Sequence, residues 1–173
     1  MLQGMTLVLG AAASGKSAFA ESLVRGSGRP CLYLATAMAN DEEMRARLAH
    51  HKARRGAGWR TVEEPLDLGR ALANISGDQA VLLDCATMWL SNHLLADNDL
   101  TEAMAGLIAG LALCAAPVVV VSNEVGASVV PDNALARRFR DEQGKLNQTL
   151  ATQAGLVVQV IAGLPLVLKG TLP

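Results

Sequence analysis

Gly10-Ala11-Ala12-Ala13-Ser14-Gly15-Lys16-Ser17 decides how this chain is read. The octet fits G-x-x-x-x-G-K-[ST], the P-loop. In that loop backbone amides cradle phosphates, the lysine reaches the β- and γ-phosphates, and the last hydroxyl completes the shell of a magnesium ion. Its flanks agree with the motif. Thr6-Leu7-Val8-Leu9 reads as a short buried strand, and Ser17 to Val24 reads as a helix. Small residues between them let the backbone curl, so that successive N–H groups face an anion at a helix N-terminus. A Gly/Ala-rich turn with Lys16 left in solvent is the alternative, and it leaves the spacing of Gly, Lys and Ser unexplained.

Outward from the loop, short apolar runs alternate with helical patterns. Candidate strands are Met5–Leu9, Cys31–Ala35, Arg60–Val62, Ala80–Asp84, Val118–Ser122, Leu156–Ile161 and Pro165–Leu168. Helical spacing marks Lys16–Arg25, Asp41–Arg54, Pro65–Ile75, Thr101–Cys114 and Asn133–Gln153. This alternation, with runs such as Val118-Val119-Val120-Val121, predicts an α/β fold with a mostly parallel sheet covered by helices on both faces. The last two strands are joined around Gly163 by too few residues for a parallel crossover, so they are expected to form an antiparallel edge hairpin.

The 173 residues predict one domain, 1–173, large enough for a substantial core. Half the residues are apolar but few are aromatic, so Leu, Val and Ala carry the packing. A net charge of -1 gives no footprint of a nucleic-acid or membrane partner. Cys31, Cys85 and Cys114 lie apart in apolar runs without metal-ligand spacing, which predicts buried thiols in a reducing cytoplasm. The chain shows no signal-peptide pattern and no uninterrupted membrane-length run. Leu107 to Val121 comes nearest, and Pro117 divides it into a helix end and a strand.

Three further constellations bear on chemistry. Asp84 ends an apolar strand at the edge where open sheets bind ligands, and is a candidate for nucleotide or magnesium contact; its alternative is a helix N-cap for the Thr87–Leu95 segment. Glu124, after Ser122-Asn123, is a second candidate of the same kind. Asn40 with Glu43 three residues on marks a helix start. Advanced at about 100° per residue, that helix sets Met44, Leu48 and His51 on one stripe and His50 off it. Arg45, Arg47, Lys52, Arg54, Arg55 and Arg60 surround the histidines, a basic cluster suited to polyphosphate charge. A neutral imidazole among them has the means to attack phosphorus. A solvated basic helix with a packed histidine is the alternative. In Pro131 to Gln148, Leu135, Phe139 and Leu146 are expected core anchors, and the Arg and Asn residues fit either a substrate or a subunit contact.

Taken in order, these residues resemble the bifunctional adenosylcobinamide kinase/adenosylcobinamide-phosphate guanylyltransferase family of cobalamin biosynthesis. The resemblance is carried by the P-loop, Tyr33-Leu34-Ala35-Thr36-Ala37, Asp41-Glu42-Glu43-Met44, and His51 through Trp59 to Glu63-Glu64-Pro65. It continues through Leu83-Asp84-Cys85, Trp89-Leu90-Ser91-Asn92, Ser122-Asn123-Glu124-Val125-Gly126, Val130 to Gln148 and Gly163-Leu164-Pro165-Leu166. It implies a RecA-like P-loop fold, a homotrimer, and two activities. One phosphorylates the aminopropanol hydroxyl of adenosylcobinamide with ATP or GTP. The other moves GMP from GTP onto a histidine, then onto adenosylcobinamide phosphate. By spacing to Trp59 and Glu63 that histidine falls on His51, the residue the helical stripe also selects. Implied nucleotide contacts are Gly10 to Ser17, Ala35, Thr36, Ala37, Lys52, Ala53, Arg54, Arg55, Glu63 and Asp84, with Ser17 and Asp84 on magnesium and Lys16 catalytic.

The chain departs from the family pattern at Ala11, where Gly is common, at Ala13, where Arg is common, and at Ser128, where Gly is common. Ala13 removes a charge beside the phosphates. Two other functions fit parts of the pattern: a one-step small-molecule kinase with a structural His51, and a nucleotide-dependent binding module. The second lacks an Asn-Lys-x-Asp guanine-reading motif.

Overall fold

The architecture was read from a computed structural model, which describes Leu2, residues 4–38, Glu42, Gly56 and residues 58–173. Apart from Glu42, the helix expected over Asp41–Arg54, with His50, His51 and most of the basic cluster, lies outside the described residues. Seven strands, β1 Met5–Gly10, β2 Cys31–Ala35, β3 Trp59–Glu63, β4 Ala80–Asp84, β5 Val118–Asn123, β6 Leu156–Ile161 and β7 Leu164–Lys169, form one sheet in the order β3-β2-β4-β5-β1-β6-β7. Every neighbouring pair is parallel except β6 and β7. That pair is the expected edge hairpin, closed by Ala162 and Gly163 at φ 51° and 80°. Positive φ at both positions matches the right-handed strand twist.

Five described helices connect the strands: α1 Lys16–Gly26, α2 Leu68–Ala73, α3 Ala86–Leu95, α4 Leu100–Leu113 and α5 Ala134–Gln153. They lie on both faces of the sheet. Alternating strand residues Leu7, Leu32, Leu34, Val81, Leu83, Val118 and Val120 pack with Leu72, Trp89, Leu107, Leu146 and Leu150 from α2 to α5. The intervening residues Val8, Tyr33, Leu82, Val119, Val121 and Val158 pack with Ala20 and Val24 of α1. A strand buried on both faces must be apolar at both parities, which is why these runs lack a polar alternation. Trp59 on β3 lies on the α1 face, edge-on to Tyr33 and with the Arg25 guanidinium 5.9 Å from its ring centroid. No helix among the described residues is long and apolar enough to cross a membrane.

Several expectations need correction. The 65–75 helix is only Leu68–Ala73, because Asp67 accepts the Arg70 amide and fixes the start there. α3 starts earlier than Thr87, and its N-cap is Cys85, whose Sγ accepts the Met88 amide, so Asp84 is not the cap. Leu135 is no core anchor: it is 52 % exposed, whereas Leu146 is fully buried and Phe139 half-buried. The three thiols are free and only part-buried as residues. Pro117 does separate the end of α4 from the start of β5.

Candidate active site

The octet closes β1 and opens α1. Gly15 is the N-cap residue at φ 94°, and no side chain caps the helix. The first-turn amides of α1 therefore point outward without intrahelical acceptors, at the positive end of the helix dipole. Ala13 also takes a positive φ, 56°, giving the loop a second left-handed turn. Ser14 N–H donates to the Ala11 carbonyl at 3.3 Å, and Lys16 Nζ donates to the same oxygen at 3.1 Å, folded across the loop. Ala11, Ala12 and Ala13 are exposed, and Lys16 and Ser17 half-buried.

Beneath the loop the packing is tight. A methyl group on Gly10 would collide with Ser14 Oγ and stand 2.9 Å from the Val160 carbonyl, so only glycine fits. The buried Ser14 hydroxyl itself has no hydrogen-bond partner among the described residues. From the other side, the Gly163 amide donates to the Ser14 carbonyl at 2.9 Å, tying the β6–β7 turn to the loop.

The remaining implied contacts line the same edge. Ala35 is in register with Glu63 on one side and Asp84 on the other, so three neighbouring strands present these residues in one row. In-register residues of parallel strands point to one face, and Tyr33 and Ala35 place that face under α1. Tyr33 Oη donates to Asp84 Oδ2 at 3.0 Å. Strand β5 stands between β4 and the loop strand, with Asn123 in register with Gly10. The Glu124 amide donates to the Gly10 carbonyl at 3.1 Å, while its Oε1 accepts the Gly126 amide at 2.7 Å. The structure thus sets Gly10, Ala35, Glu63 and Asp84 along one sheet edge, with Glu63 on the edge strand three strands removed from the loop strand's neighbour β5 and Glu124 beside the loop. His51, Lys52, Ala53, Arg54 and Arg55 lie outside the described residues.

Behind this edge is polar machinery that the sequence reading did not find. Thr36 Oγ1 accepts the Cys85 amide and donates to the Cys85 carbonyl, both at 2.8 Å. Asn92 Nδ2 donates to the carbonyls of Thr36 and Pro65 at 2.8 and 3.0 Å. Below Asn123, Ser122 Oγ donates to Asn147 Oδ1 at 2.7 Å and Gln143 Nε2 donates to both. For Asn92 and Ser122 the only signal was a polar side chain inside an apolar stretch; Gln143 and Asn147 sit in a polar helix and carry no such mark. Burial pushes the Cys85 thiol up to about 12, and the adjoining Asp84 carboxylate adds to the rise.

The P-loop on β1, the parallel sheet and the acid-ended strand β4 across from β5 define a RecA-like P-loop nucleoside triphosphatase fold. The structure of the RadB recombinase matches with a TM-score of 0.54 over 90 % of this chain and 73 % of that one, at 18 % identity. A protein of Pyrococcus horikoshii OT3 matches at 0.51 over 98 % and 87 %, at 8 % identity. Sequence comparison goes beyond the fold. The profile of the cobinamide kinase / cobinamide phosphate guanyltransferase family matches residues 6–168. The bifunctional adenosylcobalamin biosynthesis protein CobP of Pseudomonas aeruginosa is 45 % identical, covering 95 % of this chain and 96 % of the relative. The protein CobU of the same description from Salmonella typhimurium is 41 % identical, covering 95 % and 99 %. The chain belongs to the cobinamide kinase / cobinamide phosphate guanyltransferase family.

Proposed function

We propose that this chain, working as a cytoplasmic homotrimer, carries out both activities that its family's name joins. In the kinase reaction the aminopropanol hydroxyl of adenosylcobinamide attacks the γ-phosphorus of ATP or GTP. An O–P bond forms, the bond to the β-phosphate oxygen breaks, and the nucleoside diphosphate and the hydroxyl proton are released. In the transferase reaction an imidazole nitrogen of His51 attacks the α-phosphorus of GTP and displaces pyrophosphate. The phosphate oxygen of adenosylcobinamide phosphate then attacks the same phosphorus, the N–P bond breaks, and adenosylcobinamide-GDP leaves.

One observation carries this reading. The uncapped α1 N-terminus, held by Gly15 at φ 94°, offers outward-pointing amides with Lys16 beside them. Such donors stabilise charge as it develops on transferring phosphates, without reorganising during the reaction. Glu63 and Ala35–Ala37 extend the edge away from the loop and fit the nucleoside part, and Lys52 to Arg55 supply cations.

The donor set fits magnesium. Ser17 offers a hydroxyl and Asp84 a carboxylate, both hard oxygen donors, and Tyr33 orients the carboxylate. Among the described residues no three His, Cys, Asp or Glu side chains gather. Magnesium needs no such cage, since it takes one or two protein ligands beside phosphate oxygens and water. Bound there, it supplies charge neutralisation on the phosphate oxygens.

Incubation with α-labelled GTP tests the transferase. Label that stays on denatured protein, is acid-labile and disappears in His51→Ala supports the covalent route. Correctly folded wild-type protein that phosphorylates adenosylcobinamide but takes up no label reduces the chain to a one-step kinase.

A further inference from the structure

We propose that Asn92 is a positioning residue for the nucleotide site, fixing the nucleoside end of the edge relative to the phosphate end. The inference rests on the reading of Ala35–Ala37, Glu63 and Asp84 as nucleotide contacts. It concerns a residue that touches no nucleotide itself.

Asn92 is 4 % exposed in the middle of α3, a helix whose other buried residues include Ala86, Trp89, Leu90 and Leu94. Burying an amide there costs free energy unless its hydrogen bonds are made. The Asn92 amide donates to the carbonyl of Thr36, one residue past β2, and to that of Pro65, two residues past β3. Beyond the last ladder pair such carbonyls have no strand partner, and some other donor must satisfy them. The Glu64 amide already ties the end of β3 to the Ala35 carbonyl at 2.9 Å, and the planar NH2 group of Asn92 joins the two turns one step further out, at Thr36 and Pro65.

Two neighbours on α3 reinforce the second turn. Trp89 Nε1 donates to the Leu66 carbonyl at 2.8 Å. His93 Nε2 lies 3.2 Å from the same oxygen while its Nδ1 faces Asn98 Nδ2 at 3.0 Å, so Nε2 carries the proton. The base of α3 is joined to Asp84 through the next residue, Cys85, which Thr36 Oγ1 holds from both its amide and its carbonyl. Asn92 thus closes a path running from Asp84 through Cys85 and Thr36 to Pro65 and back to Glu63. Packing alone asks for none of this; a leucine would fill the place of Asn92 and leave both carbonyls unmet.

The test compares GTP with pyrophosphate, which requires only the phosphate end. Affinities of both are measured by calorimetry for the full chain, Asn92→Ala, Glu63→Ala and the double variant. Asn92→Ala is expected to weaken GTP about tenfold, the lower end of what losing an outer-shell partner costs, and to leave pyrophosphate within about twofold. In the Glu63→Ala background the GTP loss from Asn92→Ala should shrink, since coupled residues are not additive. Equal losses for the two ligands, or no loss for GTP, overturn the proposal. Should Asn92→Ala fail to fold, Asn92→Ser, which keeps one donor, is measured against the same criteria. If Glu63→Ala alone leaves GTP binding unchanged, Glu63 drops out of the functional reading. The split between GTP and pyrophosphate then decides the role of Asn92 by itself.

Discussion

The Gly163 amide holds the Ser14 carbonyl at 2.9 Å, so the last hairpin of the chain braces the first loop. Gly163 has φ 80°, and a methyl group on Gly15 would come within 3.2 Å of its Cα. Gly163→Val forces a β-branched residue into the left-handed region, at roughly 1–2 kcal/mol. It is expected to lower both thermal stability and GTP affinity. Gly163→Asn, which tolerates that conformation, should preserve both. Melting curves and calorimetric titration of the two variants check this.

Tyr33→Phe removes the donor to Asp84 Oδ2 and leaves the ring in its pocket. Stability should change by only about 1 kcal/mol, as for one hydrogen bond. The magnesium concentration needed for half-maximal GTP binding should rise several-fold, because the carboxylate is no longer oriented. Titrating magnesium at fixed GTP reads the effect directly.

The network under Asn123 predicts an asymmetry between two residues one turn apart on α5. Asn147→Leu removes the acceptor of the Ser122 hydroxyl proton and of one Gln143 N–H, and the donor to the Asn123 carbonyl, and should cost on the order of 3 kcal/mol. Gln143→Leu removes a side chain whose Oε1 already lacks a partner, and should cost distinctly less. Urea denaturation midpoints of the two variants should rank in that order.

Cys85 gives a pH dependence. Its folded thiol keeps its proton up to about 12, against an ordinary value of 9.0. Between those values the unfolded chain has lost a proton that the folded chain retains, so stability falls as pH rises through that window. Below about 9 the group contributes no slope. Cys85→Ala should flatten that part of the stability curve, and iodoacetamide at pH 9 should label Cys85 only on unfolding.

The sheet was readable because its strands are continuous apolar runs, and the P-loop because all its parts are contiguous. Helix α3 was half-missed for the opposite reason. Trp89, Leu90, Asn92, His93 and Leu94 are all buried, so it has no polar face and no helical period to detect. Leu135 was misplaced by a sound periodicity: it continues the α5 stripe of Phe139 and Leu146, yet remains 52 % exposed. Tyr33, Asn92 and Gly163 were illegible as site residues because each acts on a partner far along the chain. Tyr33 reaches across 51 positions to Asp84 and Asn92 across 56 to Thr36.

The two tryptophans occupy opposite faces of the sheet, Trp89 1 % exposed among α2 to α5 and Trp59 half-buried beside Arg25 and Tyr33. These are the chain's only two. Replacing either with phenylalanine leaves a single emitter that watches one hydrophobic layer. Fluorescence on unfolding then times the collapse of each layer separately.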